Sequence, residues 1–194
     1  MYNNYKGKKV IVSRTGYTGE IGFEIYLDQA HTVMFWNECL ELGAKPAGLG
    51  CRDTLRLEMG YPLYGHELDE TRNAAESGFA QAIFADKKFI GSSVVLDASK
   101  AKDLLCAIKL SGRRAARNGD KLCDVSGAEI GIITSGSYSP SLECAIALGY
   151  APKTYATIGN SVKVNTGKAE LDGIIVALPF YTNATARKKL SDFL

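Results

Sequence analysis

Near Leu104 the texture of the chain changes. From there to Leu178 apolar residues come only in short runs: Leu104 to Leu110, Gly131 to Thr134, Ala145 to Tyr150, Ser161 to Val164 and Ile174 to Leu178. Glycines and polar turns divide them. Such runs are short for a core helix and suit strands at the spacing of a small barrel. Residues 103–182 are therefore expected to form a small antiparallel β-barrel or sandwich.

The preceding stretch reads as mixed α and β. Lys9 to Arg14 is apolar and β-branched, a strand; Gly16 and Gly19 mark a turn; Phe23 to Leu27 alternates, a second strand. That alternation puts Phe23, Ile25 and Leu27 on the core face and Glu24 and Tyr26 on the other. Asp28 is placed to cap a helix whose apolar stripe is Val33, Trp36 and Leu40, with Gly43 as its stop. Cys51 to Met59 predicts a short helix ending at Gly60, with Arg52 and Arg56 on one face. Tyr61 to Gly65 is a turn-rich exit. A helical or mixed segment is expected to about Ala85, and a helix over Ser92 to Lys102. The chain thus divides into residues 1–90, a connection 91–102, the barrel 103–182 and a tail 183–194. The fold class is α+β.

The 194 residues carry a net charge of +2, too near neutral for a general nucleic-acid binder. The sign is uneven, −2 over residues 1–100 and +4 over 101–194. The longest apolar run, Ile174 to Phe180, is seven residues where a membrane span needs about 20. The first residues lack the apolar core of an export signal, and five cysteines without a C-x-x-C read as reduced thiols. A cytoplasmic protein is expected. With only His31 and His66, a histidine-rich metal site is hard to build, and no metal site is expected.

Phosphate-loop, dinucleotide and nucleophile-elbow signatures are absent. His66 to Glu70 sets one imidazole beside three carboxylates and reads as a solvated acidic loop. Arg113, Arg114 and Arg117 either grip an acidic partner or face water in a turn. Cys51 beside Arg52 has no base to activate it. Tyr17, Glu24, Arg52 and Tyr61 are each ordinary in isolation: Tyr17 can cap a turn, Glu24 can face solvent, and Arg52 can pair with Asp53 or Glu58.

Longer phrases give these four a meaning. Ser13 to Glu24 (SRTGYTGEIGFE), Gly48 to Gly60 (GLGCRDTLRLEMG) and Tyr61 to Leu68 are similar to segments of the glycine cleavage system T-protein family, the aminomethyltransferases. Gly131 to Pro140 (GIITSGSYSP), Ala145 to Tyr150 (AIALGY) and Leu178 to Tyr181 (LPFY) resemble its later signatures in the same order. The resemblance implies part of a folate-binding α+β domain followed by the family's β-barrel. It implies tetrahydrofolate as cofactor, with Tyr17, Glu24, Arg52 and Tyr61 as its contacts. A carboxylate can accept both N–H groups of a pterin edge, aromatic walls suit its flat rings, and a guanidinium suits its carbonyls and acidic tail.

The implied reaction moves a one-carbon unit from an aminomethyl-lipoyl group on H-protein to tetrahydrofolate and releases ammonia. The implied partners are lipoylated H-protein, folate and, as one option, the N-terminal half of the family protein as a separate chain. That half holds the aspartate given the family's acid/base role. No residue here matches it, so no catalytic residue is named and the chain alone is expected to be inactive. Two alternatives stand: another folate-dependent relative, of demethylase or sarcosine- or dimethylglycine-oxidising type, or a non-enzymatic truncated remnant that only binds a partner.

Overall fold

A computed structural model describes residues 2–72, 74–78, 83–84, 86–96 and 101–193. The chain packs as two units, one of residues 1–56 with 183–194 and one of residues 57–182.

The first unit begins with a three-stranded antiparallel sheet, β1 (Tyr2–Tyr5), β2 (Lys8–Ser13) and β3 (Glu24–Tyr26), in that order. Helix α1 (Gln29–Glu41) follows, and its N-cap is the expected Asp28, whose carboxylate accepts from the Ala30 amide at 2.8 Å. Gly43 turns the chain away in the left-handed region, at φ 92°. Phe35 of α1 stands edge-on to Tyr5 of β1, with centroids 5.2 Å apart. The Tyr5 hydroxyl and the Lys6 ammonium both donate to Glu38, which holds the Tyr5 pKa up at about 12 and the Glu38 carboxyl below its usual range.

Two expectations about this unit need correction. Phe23 precedes the strand and is 51% exposed, so it is no core residue. The stripe Val33, Trp36 and Leu40 is also exposed, and no described residue of α1 is buried. Alternation and helical spacing report which side chains share a face, not whether a layer lies over it.

The last residues are not a free tail. The Ala186 amide donates to the Gly19 carbonyl at 2.9 Å, the Ile21 amide to the Thr185 hydroxyl at 2.8 Å, and the Arg14 guanidinium to the Lys188 carbonyl at 2.7 Å. They close the glycine turn that opens β3's approach.

The second unit is built on a closed six-stranded antiparallel barrel. Its strands are β4 (Asp103–Leu110), β5 (Lys121–Cys123), β6 (Glu129–Ser139), β7 (Cys144–Pro152), β8 (Ser161–Asn165) and β9 (Glu170–Val176). Around the barrel the order is β4-β7-β6-β5-β8-β9, with β9 closing on β4. Each expected run falls on a strand, although the last, Ile174 to Leu178, leaves its strand after Val176. Cys106, Ile108 and Leu110 of β4, Leu122, Ile133, Ala145, Ala147, Val162, Val164 and Ile175 form one core. Alternate residues Ala107, Ile146 and Leu148 form a second, outer core with Leu57 and the half-buried Phe180. Strand β7 is buried on both faces, which is why Ala145 to Tyr150 reads as a continuous apolar run. Gly149 must lack a side chain, because a Cβ there would sit 2.7 Å from the Ile132 carbonyl oxygen.

Beyond α2, residues 59–72 and 74–78 pack on this barrel mostly as turns, where a helical or mixed segment is expected before Ala85; positions 73, 79–82 and 85 of that segment lie outside the described residues. The Tyr150 hydroxyl donates to the Glu67 carbonyl at 2.8 Å, the Leu105 amide to the Glu76 carbonyl at 2.9 Å, and the Arg72 guanidinium lies 4.0 Å over the Tyr150 ring. Helix α3 is one turn, Ser92–Val95, shorter than the expected helix to Lys102: Leu96, Ala101 and Lys102 are not helical, and positions 97–100 lie outside the described residues. A short 3-10 turn, Leu190–Asp192, ends the chain.

Candidate functional site

The turn between β2 and β3 carries the first two candidates. Ser13 faces Glu24 across the ladder. The pairing brings Thr15 back beside Glu24, and its hydroxyl donates to the Glu24 carboxylate. Tyr17 is two residues further along the same turn and half-buried.

Helix α2 (Leu49–Glu58) supplies the third. Arg52 projects from its first turns, and its guanidinium carbon lies 4.5 Å from the Tyr17 ring centroid. This is a cation–π stack, worth about 0.5–1 kcal/mol at an exposed site. Arg52 does not take Asp53 as its partner, because Asp53 accepts from Arg56 at 2.7 Å. Arg56 shares the face that spacing assigns to Arg52 but is 1% exposed. The helix thus buries one arginine and presents the other.

Within the first unit, then, Tyr17 and Arg52 form a cation–π pair, and Glu24 is held by the hydroxyl of Thr15, two residues before Tyr17 in the same turn. Tyr61 belongs to the second unit, three residues beyond Glu58 and half-buried.

Thr15 was missed by sequence reasoning. The hairpin register alone puts Ser13 opposite Glu24; the bond from Thr15 depends on how the turn beyond the ladder folds back. Glu20 also has a definite role, since the Thr185 hydroxyl donates to it. It belongs to the turn's own fastening, whereas Glu24 is exposed.

The other constellations are absorbed by structure. His66 Nδ1 lies 2.9 Å from the Thr134 carbonyl oxygen, and Asp69 accepts from the amide and hydroxyl of Thr71, both at 2.6 Å. Those bonds hold the Asp69 carboxyl below its ordinary pKa. Glu67 is wholly buried, not solvated, with its carboxylate accepting from the Leu63 amide at 2.9 Å. A carboxylate that closes its own turn can be buried where hydropathy predicts exposure. In the basic loop Arg113 lies 4.8 Å over Tyr138 and Arg117 donates to the Gly136 carbonyl at 2.7 Å. Among the described residues no group of three or more His, Cys, Asp and Glu is placed to hold a metal, and no helix is long and apolar enough to cross a membrane.

Comparison with known proteins matches the chain to two successive family domains. The family model described as the GCVT N-terminal domain matches residues 2–87, and that of the glycine cleavage T-protein C-terminal barrel domain matches residues 104–182. An aminomethyltransferase of Halothermothrix orenii is 43% identical over 183 residues, covering 90% of this chain and 51% of that protein. One of Synechococcus elongatus is 39% identical, covering 93% and 50%. The crystal structure of glycine cleavage system aminomethyltransferase T from Bartonella henselae superposes with a TM-score of 0.84 at 28% identity, covering 91% of this chain and 50% of that one. The chain spans about half the length of the curated relatives it matches. Matched along nearly its whole length to two successive domains of one protein, the chain belongs to the glycine cleavage T-protein family, the aminomethyltransferases.

Proposed function

We propose that this chain supplies the later half of a tetrahydrofolate-dependent aminomethyltransferase. In that role it takes part in moving a one-carbon unit from an aminomethyl-lipoyl group on H-protein to tetrahydrofolate, with release of ammonia. The observation that supports the reading is the Tyr17–Arg52 cation–π pair, two members of the folate set the resemblance implies, with a third, Glu24, bonded to Thr15 of the turn that carries Tyr17.

The donor set suits folate. Tyr17 offers an aromatic wall and Arg52 a planar guanidinium for carbonyl or carboxylate groups. Glu24, steadied by Thr15, is the acceptor for the pterin's adjacent N–H groups. Tyr61 is assigned the remaining contact. Bound tetrahydrofolate supplies the nitrogen nucleophiles that accept the one-carbon unit; this chain's residues bind and orient it. Residues 1–90 form the folate-binding part, and 103–182 the barrel part. We further propose a cytoplasmic setting, lipoylated H-protein as the second substrate, and no turnover by the chain alone, because no residue here matches the family's acid/base aspartate.

The test compares two glutamates in the chain joined to the remaining half of a relative. Tetrahydrofolate is titrated into wild type, Glu24→Gln and Glu20→Gln. Loss of a charged acceptor costs about 1.5–3 kcal/mol, roughly 10- to 150-fold in affinity, and is expected for Glu24→Gln only. Unchanged binding by Glu24→Gln, with failure of Glu20→Gln, refutes the assignment.

A further inference from the structure

Helix α1 carries two stripes and uses one. His31, Phe35, Glu38 and Cys39 are half-buried at i, i+4, i+7 and i+8, and Phe35 and Glu38 meet Tyr5 of the sheet. Val33, Trp36 and Leu40 recur at i, i+3 and i+7 on the other side, and they are 70%, 51% and 38% exposed. A surface helix normally shows polar residues there. An apolar stripe turned away from the helix's own sheet calls for another layer beyond it.

The sheet is incomplete in the same sense. Among the described residues β1 and β3 pair only with β2, so each leaves one edge open. Its face away from Phe35 carries Ile11 and Tyr26, cross-strand partners that are 40% and 55% exposed.

We propose that the Val33–Trp36–Leu40 stripe is the docking surface for a polypeptide corresponding to the half of the relatives that this chain does not span. Two observations select that occupant. The relatives are matched over about half their length, and the same holds for the solved structure. A second copy of this chain is the competing occupant, and the experiment below separates the two. The proposal deepens the proposed function by naming the partner of its site, and it rests on that reading for the choice of partner.

The experiment co-expresses this chain with the segment of the Halothermothrix orenii aminomethyltransferase that lies outside the match. That segment is tagged and its tryptophans are replaced by phenylalanine. Trp36 is the one tryptophan of the present chain, so its emission reads the stripe directly. The expected result is co-purification as a 1:1 complex with Trp36 emission shifted to the blue, and weakening of the complex by about tenfold or more in Val33→Glu. Val33 is exposed, so circular dichroism of that variant alone should be unchanged. Absence of co-purification, an unshifted Trp36 in the complex, an unaffected Val33→Glu complex, or a self-dimer that shifts Trp36 without the partner would each overturn the proposal. Tetrahydrofolate titration of the complex is the separate arm. A complex with Trp36 covered that binds no folate leaves the docking surface standing and removes the folate reading.

Discussion

Cys106 and Cys51 are the same side chain in opposite surroundings. Cys51 is exposed on α2, whereas Cys106 is 2% exposed inside the barrel, where burial pushes its thiol pKa up to about 11. At pH 8 its thiolate population is then about a hundredfold below that of an unshifted thiol. Iodoacetamide at pH 8 is expected to label Cys51 quickly and Cys106 only as the barrel unfolds; equal rates, followed by mass spectrometry, would contradict the buried assignment. The same shift links stability to pH. Between pH 9 and 11 the unfolded chain releases the Cys106 proton and the native one keeps it, so stability falls as pH rises through that window. Tyr150, raised to about 12 chiefly by burial, extends the fall above pH 10. Urea midpoints measured from pH 8 to 11 should decrease, with a shallower slope for Cys106→Ala. Such burials were only partly legible in the sequence. Cys106 sits in an apolar run that announces a core. Glu67 sits among charges, and its burial depends on a turn that returns the Leu63 amide to it.

At the scale of elements, the end of α2 is fixed by one carboxylate. Glu58 is 2% exposed; it accepts from the Ser139 hydroxyl at 2.5 Å and the Ser141 hydroxyl at 2.9 Å, while its carbonyl accepts from the Tyr181 amide at 2.9 Å. Three separate stretches of sequence meet at it. Glu58→Leu strands two buried or half-buried hydroxyl donors and is expected to cost about 3 kcal/mol in urea unfolding, against about 1 kcal/mol for Glu58→Gln. A Glu58→Leu midpoint equal to wild type would show that the clamp carries no load. Strands were the most legible elements, because apolar runs broken by glycine have few other uses. Strand β1 gave no signal: Tyr-Asn-Asn-Tyr becomes a strand only because β2 offers it an edge. The α1 stripe was legible as a stripe, yet its burial depends on sequence that lies outside it. The stacking of Arg52 on Tyr17 depends on how a turn and a helix approach, which no local pattern states. Resemblance supplied the names of the candidate residues, and the fold supplied the neighbours of Tyr17 and Glu24.

The whole molecule divides where the sequence pattern does not. Texture changes near Leu104, but the packing boundary falls inside α2, after Arg56. Residues 57–78 are held to the barrel through Leu57, Glu67, Arg72 and Glu76. Limited proteolysis is therefore expected to leave a resistant fragment starting near residue 57 and ending near 182. A limit fragment starting near 103 would show that those turns are peripheral. The first unit, by contrast, is discontinuous in sequence, since residues 183–194 return to its glycine turn. This has a consequence for synthesis. A ribosome releases the barrel as one continuous stretch, which can close as soon as it has emerged, whereas the turn bearing Tyr17 and Glu20 must wait for Thr185, which is made after the whole barrel. A chain stopped after Thr182 should accordingly keep a normal barrel and lose amide-exchange protection at Ile21, so that damage to residues 183–194 is felt at the turn that carries Tyr17, more than 160 positions earlier in the sequence.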